Sequence, residues 1–350
     1  MAYTTVDNPE LFFQTKLYTG NGGTQSITLD GSEDMQPDWV WLKSRSNANS
    51  HELYDSVRGV EKPLYIDSDS AEATNANGLT AFGSDGFTVG LGASVNGSGR
   101  TFVSWNWKAG TSFSNDASAT GIGTIDSSGS VSDTAGFSII IRTGTASAGT
   151  IKHGLSTTPK MIITKMRNAQ ESWGVYNVHI GNTKYLKFDV PDAEDSSSVV
   201  WNNTTPTASV FSVGSSALVN GSSKTYVDYV FSDIKGYSKF GSYTGNGNAD
   251  GTFSYTGFKP AFVIIKRTDS SDNWYVYDTK RDTENPLAVA LNPDTSGTEF
   301  STSNILDFLS NGFKLRSSEA TTNASGGKYI YMAFAENSFV NSNGVPNNAE

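Results

Sequence analysis

Pro37-Asp-Trp-Val-Trp-Leu-Lys43 is a stretch that the chain writes three times: it returns as Pro159-Lys-Met-Ile-Ile-Thr-Lys165 and as Pro260-Ala-Phe-Val-Ile-Ile-Lys266. In every copy a tyrosine follows the lysine at one spacing, at Tyr54, Tyr176 and Tyr277. Self-similarity of this kind decides the architecture before any single residue is weighed, because each copy has to be one supersecondary unit. The period-two alternation of a strand puts Trp39, Trp41 and Lys43 on one face and Val40 and Leu42 on the other. Both faces are apolar, so the strand belongs in the middle of a layered structure. The lysine stem is expected over the core edge with its ammonium in water.

Upstream stand Tyr18-Thr-Gly-Asn-Gly22 and Tyr243-Thr-Gly-Asn-Gly247, with the weaker Arg142-Thr-Gly-Thr-Ala146 in the middle copy. Downstream, Phe82-Gly-Ser-Asp-Gly-Phe87 matches Phe308-Leu-Ser-Asn-Gly-Phe313, and Phe211 takes the place of Phe87 and Phe313. Each copy closes on an aromatic strand: Phe102-Val-Ser-Trp-Asn-Trp107, Tyr226-Val-Asp-Tyr-Val-Phe231 and Tyr329-Ile-Tyr-Met-Ala-Phe334. Val103, Trp105 and Trp107 share a core face, while Ser104 and Asn106 opposite them are expected to be partly wet, as in an antiparallel sandwich sheet. The fold class is therefore all-β, with three tandem antiparallel β-sandwich modules of jelly-roll type and a divided core. The modules span 1–110, 137–236 and 237–340, with a Gly/Ser-rich linker over 111–136 and a polar tail over 341–350 expected to fray unless another chain holds it. Asn304-Ile-Leu-Asp-Phe-Leu309 and Asp55-Ser-Val-Arg58 are read as single helical turns at most.

The 350 residues carry only 17% charged side chains, 12% aromatics and a net charge of −10. That composition suits short strands and many turns, and it disfavours a phosphate-backbone partner, which calls for basic stripes; no nucleic-acid partner is expected. Cysteine is absent, which excludes disulfides, thiolate metal sites and a cysteine nucleophile. The N-terminal residues lack the basic and apolar regions of a secretory signal, and apolar runs such as Ile139-Ile-Ile141 are of strand length, so no membrane insertion is expected.

Chemistry-bearing patterns are few. His51, His153 and His179 lack zinc-site spacing and read as surface or turn residues. Asp67-Ser-Asp69 with Glu72, Asp192-Ala-Glu194-Asp195, and Asp269 with Asp272 lie in polar stretches and share no repeat position, which speaks against a glycosidase pair. Asp67 begins like an EF-hand, but Glu72 stands where glycine is needed and Gly78 where glutamate is needed; a calcium loop of another type stays open. The sequons Asn96-Gly-Ser98, Asn220-Gly-Ser222 and Asn323-Ala-Ser325 occupy one place in all three copies and read as hairpin turns with positive φ. Trp39, Trp41, Trp105 and Trp107 are assigned to core packing rather than to a sugar platform. No catalytic residue, metal ligand or cofactor is assigned, and ligand-binding residues are left unknown.

Asp34-Met-Gln-Pro-Asp-Trp-Val-Trp, Asp55-Ser-Val-Arg-Gly, Phe82-Gly-Ser-Asp-Gly-Phe-Thr-Val, Trp105-Asn-Trp-Lys-Ala-Gly, His153-Gly-Leu and Gly236-Tyr-Ser-Lys-Phe-Gly-Ser-Tyr-Thr-Gly-Asn-Gly, with the opening Met1-Ala-Tyr-Thr-Thr, carry a resemblance over nearly the whole chain. They resemble an uncharacterised domain family of tailed-bacteriophage virion and tail-fibre proteins, common in marine phages, with a concanavalin-like β-sandwich. The resemblance implies a virion protein assembled in the host cytoplasm and supplies no catalytic residues, and with no catalytic pattern among its own residues the chain is expected not to be an enzyme. Its implied partners are other virion proteins, copies of itself in a homo-oligomer, and a host-surface glycan or receptor. A capsid decoration or cement protein and a glycan-binding or glycan-cleaving tail protein are the alternatives. The segments 60–80, 190–205 and 286–304 differ most between copies and are the expected binding loops.

Overall fold

The computed structural model describes residues 4–346, apart from the side chains of Ser303 and Asn304. Met1, Ala2 and Tyr3 of the opening motif and the last four residues of the polar tail lie outside that range. The chain is all-β, its strands paired antiparallel in several sheets. Four strands recur with each sequence copy and follow one hydrogen-bonding order. A leading strand (Phe13–Thr19, Phe137–Thr143, Ser238–Thr244) pairs with the closing strand (Thr101–Trp107, Thr225–Phe231, Lys328–Ser338). The closing strand pairs in turn with the proline strand (Trp39–Ser44, Met161–Met166, Phe258–Arg267), which pairs with the tyrosine strand (Glu52–Asp55, Gly174–Asn177, Trp274–Asp278). Pro37 and Pro159 precede their strands, and Pro260 sits at a register shift, positions where the missing N–H costs no ladder bond.

Smaller sheets cover the outer faces: Leu79–Gly83 and Gly86–Val89 with Gln25–Ile27, then Gly149–Lys152 with Val210–Val213, then Phe253–Tyr255, Gly312–Leu315, Phe300–Leu309 and Leu287–Ala290. Between large and small sheets lie sandwich cores, one holding Val40, Leu42, Tyr54 and Phe87, one Ile162, Tyr176 and Phe211, one Val263, Tyr277 and Phe313. The inner faces do something the divided-core expectation missed. Trp39, Trp41, Trp105 and Trp107 meet Phe137, Tyr229 and Phe231 of the second copy and Phe262 and Phe334 of the third in one continuous interior. Trp39 stands 4.8 Å from Tyr229, Phe13 5.2 Å from Phe334, and Phe188 4.7 Å from Trp274, ring centre to ring centre. Each buried ring removes apolar surface worth on the order of 5 kcal/mol, an upper figure because unfolded chains already bury part of it. The tryptophans are core, as read from strand periodicity.

The closing strand is buried on both faces, so the half-wet expectation fails: Ser104, Asn106, Asp228 and Tyr331 are all buried. Most of their polar groups are paired, Asn106 donating its Nδ2 to Gln14 O at 3.0 Å and Thr164 donating to Asp228 at 2.7 Å, while Asn106 Oδ1 finds no partner. The expected linker is also corrected. Thr111–Asn115 and Ser127–Ser132 form two further strands that extend the second large sheet beyond its leading strand, because Val131 and Phe113 have that sheet to pack on. Asn304-Ile-Leu-Asp-Phe-Leu309 is strand, not helix, and Asp55-Ser-Val-Arg58 is a turn. In the tail, Ser342 N donates to Asp7 at 2.7 Å, a hold supplied by this chain itself.

The sequon asparagines are not hairpin residues. Each ends a one-turn helix (Ala93–Asn96, Ala217–Asn220, Ala320–Asn323) and is wholly buried. Asn323 Oδ1 accepts from Asn246 N at 2.9 Å, while its Nδ2 donates to Asn248 O and Ser317 O at 2.8 Å each. Asn96 and Asn220 bind the turns at Asn21 and Thr145 the same way. The asparagine thus acts as a peg for the Tyr-Thr-Gly-Asn-Gly turn, whose Gly20, Gly144 and Gly245 have no room for a Cβ; it would lie 2.4, 2.3 and 2.3 Å from a carbonyl oxygen. Arg142 explains the weaker middle copy: its Nη2 donates to Val219 O at 2.8 Å, where Tyr18 donates to Val95 O and Tyr243 to Thr322 O.

Candidate functional site

The titratable groups concentrate where one repeat meets the next. Lys43, Lys165 and Lys266 are fully buried, contrary to the expectation that their ammonium groups reach water. The strand is covered at both ends, so the charge is met by carbonyl oxygens instead. Lys43 Nζ donates to Asn49 O at 2.6 Å and, from the third repeat, Ser296 O at 3.0 Å. Lys165 donates to Glu171 O at 2.8 Å and to Asp69 O of the first repeat at 3.1 Å. Lys266 donates to Asp272 O at 2.5 Å and to Pro191 O of the second at 2.9 Å. Each repeat therefore clasps another, and the third clasp closes the ring. Desolvation lowers all three lysine pKa values to about 8.

A second set of contacts follows the same circuit. Trp173 Nε1 donates to Tyr65 O at 2.9 Å and Trp274 Nε1 to Lys187 O at 3.0 Å. Arg45 forks onto Glu299 with both bonds at 2.8 Å, and Arg167 onto Glu72 at 2.9 and 3.0 Å. Backbone N–H groups of Glu299, Glu72 and Glu194 donate to Arg45 O, Arg167 O and Thr268 O at 3.0, 2.7 and 2.8 Å. Behind these lie two buried clusters. Asp55 pairs with Arg58 at 2.5 Å and accepts from Tyr229 at 2.7 Å; Asp278 pairs with Arg281 at 2.5 Å and accepts from Trp105 at 3.1 Å. Burial alone raises the pKa of Glu72, but Arg167 and Arg58 overcome it and hold the carboxylate below the usual glutamate value.

Two sequence readings change here. The carboxylates do share repeat positions: Glu72 and Glu194 are equivalent, with Glu299, and Asp67 and Asp189 are equivalent with Asp294, each accepting the backbone N–H of His51, Trp173 or Trp274 at 3.0 to 3.1 Å. Insertions in the intervening loops hid the alignment. The segments 60–80, 190–205 and 286–304, expected as binding loops, supply the clasp acceptors and these glutamates, so their differences are held within joints. The remaining acids are also engaged: Asp69 accepts from Gln170 at 2.8 Å, Asp195 from Tyr185 at 2.9 Å, Asp269 from Arg267 at 2.8 Å, and Asp192 lies 3.8 Å from Lys187.

Of the histidines, His179 is exposed, but His51 and His153 are buried. Leu155 N donates to His153 Nδ1 at 3.2 Å, so Nε2 carries the proton and donates to Thr207 O at 3.1 Å; burial lowers the pKa of His153 to about 4. Among the described residues there is no group of three or more His, Cys, Asp or Glu placed to hold a metal ion, and no helix long and apolar enough to cross a membrane. A cleft of about 640 Å³ lies beside the two added strands of the second repeat. Its acids are structural: Asp116 accepts from Ala119 N at 3.0 Å and Asp126 from Ala117 N at 2.8 Å. Its Arg167 is the one bound to Glu72.

A family model described as Domain of unknown function (DUF7483) matches residues 8–338, and the chain belongs to that family. No curated protein and no solved structure matches the chain.

Proposed function

We propose that this chain is a non-enzymatic structural protein of a bacteriophage particle, a tail or tail-fibre component that attaches to the host surface alongside other virion proteins and copies of itself. The observation that carries the reading is the use made of the ionisable side chains. Lysines, arginines and acids that an enzyme would direct into a cleft are spent as joints between repeats, at Lys43, Lys165, Lys266 and the two aspartate–arginine clusters. A scaffold closed in that way supports a role that depends on shape and mechanical persistence. The sequence resemblance supplies the virion context.

Immunogold electron microscopy of particles with antibody against this chain tests the reading. Label along the tail or its fibres is the expected result. Label over the head shell replaces it with the decoration role, and release of reducing ends from host polysaccharide by the purified protein replaces it with an enzymatic one.

A further inference from the structure

The outer sheet of the third repeat carries two aromatic side chains where the other repeats carry small or polar ones. Phe253–Tyr255 is a strand paired on one side with Gly312–Leu315. Phe253 and Tyr255 alternate onto the solvent face and are 43% and 55% exposed, while Ser254 between them is buried. Register identifies the counterparts. Ser254, Ile27 and Ile151 lie opposite Phe313, Phe87 and Phe211, so Phe253 corresponds to Ser26 and Thr150, and Tyr255 to Thr28 and Lys152. Folding of this layer thus proceeds elsewhere with no aromatic at either place.

The other large apolar side chains exposed among the described residues are single aliphatic residues: Leu11, Leu91, Val199 and Val345. Only this strand sets two rings side by side, about 7 Å apart along the chain. Phe253 reaches across Gly312, where a Cβ would stand 3.0 Å from its ring, so the ring lies along the sheet. The Tyr255 backbone is fixed by Tyr331, which donates to its carbonyl at 3.3 Å. Cross-strand partners share a face. Lys314, opposite Phe253, is therefore on the same side, paired with Asp250 at 2.6 Å; Asp307, opposite Lys314, pairs with Arg316.

We propose that Phe253 and Tyr255 form a stacking platform for a neutral polysaccharide. The C–H face of a sugar ring lies on an aromatic ring while its hydroxyls both donate and accept. That is the chemistry of two rings bordered by charges of both signs already paired. An anionic polymer meets the exposed carboxylate of Asp250, and a cationic one meets Lys314 and Arg316. The apolar area, two rings on a short strand, is small for a protein partner. This site rests on the attachment reading and gives it a location.

The test is affinity gel electrophoresis of the full chain against laminarin, dextran, galactomannan and agarose. It compares wild type with the double variant Phe253→Ser, Tyr255→Thr, which installs the residues found at Ser26 and Thr28. Retardation of the wild type by at least one polymer is expected. The variant should bind roughly tenfold or more weakly, the factor that about 1.4 kcal/mol represents, at an unchanged melting temperature. No retardation of the wild type by any polymer, or equal retardation of both, overturns the platform. So does sedimentation showing wild-type dimers that the double variant abolishes, since the occupant is then a second copy. Adsorption to host cells separates the two claims: adsorption that the variant retains removes the platform and leaves attachment standing, whereas a wild type that does not adsorb removes attachment.

Discussion

The indole N–H of Trp105 donates to Oδ2 of Asp278 at 3.1 Å, although the two residues are 173 positions apart. Tyr229 makes the equivalent bond to Asp55 at 2.7 Å across 174 positions. The third corner is built differently: Asn177 replaces the aspartate, Ile180 the arginine, and Met332 the donor on the closing strand. All members of the polar set are exchanged together at that corner, as a buried ion pair requires, because half of one is worse than none.

Asp278→Ala should destabilise the protein by about 3–5 kcal/mol, since Arg281 is left buried with only the longer 3.4 Å contact to Glu299 as counter-charge. Asn177→Ala, which strands no charge, should cost about 1 kcal/mol. Urea unfolding with unchanged m-values checks both, and equal losses at the two sites would contradict the account.

The clasp lysines give stability a pH dependence of defined sign. Their folded pKa of about 8 lies below the ordinary 10.5, so the unfolded chain binds more protons between those values. Their contribution is fully present above about 10.5 and is lost as pH falls through 8. Raised tyrosine pKa values, caused by burial, work in the opposite direction above pH 10. The urea midpoint should therefore rise between pH 8 and 10. Lys266→Met should be less stable throughout, because Asp272 O loses its donor and Pro191 O keeps only Asp272 N and Ser271 Oγ, and should show a flatter rise over that interval.

Asn323→Asp should cost roughly 3 kcal/mol or more, because an acceptor then faces the carbonyls of Asn248 and Ser317. The loss should appear as faster amide exchange in the turn that begins at Tyr243.

The parts legible in the sequence are those written by periodicity. Trp39, Trp41, Trp105 and Trp107 alternate as strand residues with a core face, and the structure buries all four. What lay hidden depends on partners distant in the chain. Lys43 looks like a surface lysine until Ser296 O is known to cap it. Glu72, Glu194 and Glu299 look unrelated because their loops differ in length, and only their common bond to the next repeat around the ring aligns them. An Asn-Gly pair signals a hairpin locally, yet Asn96 is claimed by a turn 75 positions away. The Gly/Ser-rich stretch between the first two repeats reads as a tether because its small side chains conceal strands that only an existing sheet edge can recruit.

The account rests on one shared interior closed by the lysine clasps. Its most direct test is equilibrium unfolding in urea, followed by tryptophan fluorescence and by far-ultraviolet circular dichroism, on the full chain and on the segment 237–340 produced alone. A single coincident transition for the full chain, and no cooperative transition for the segment, is the predicted result. Separate transitions in the full chain, or a segment that folds alone with Trp274 buried, would contradict it.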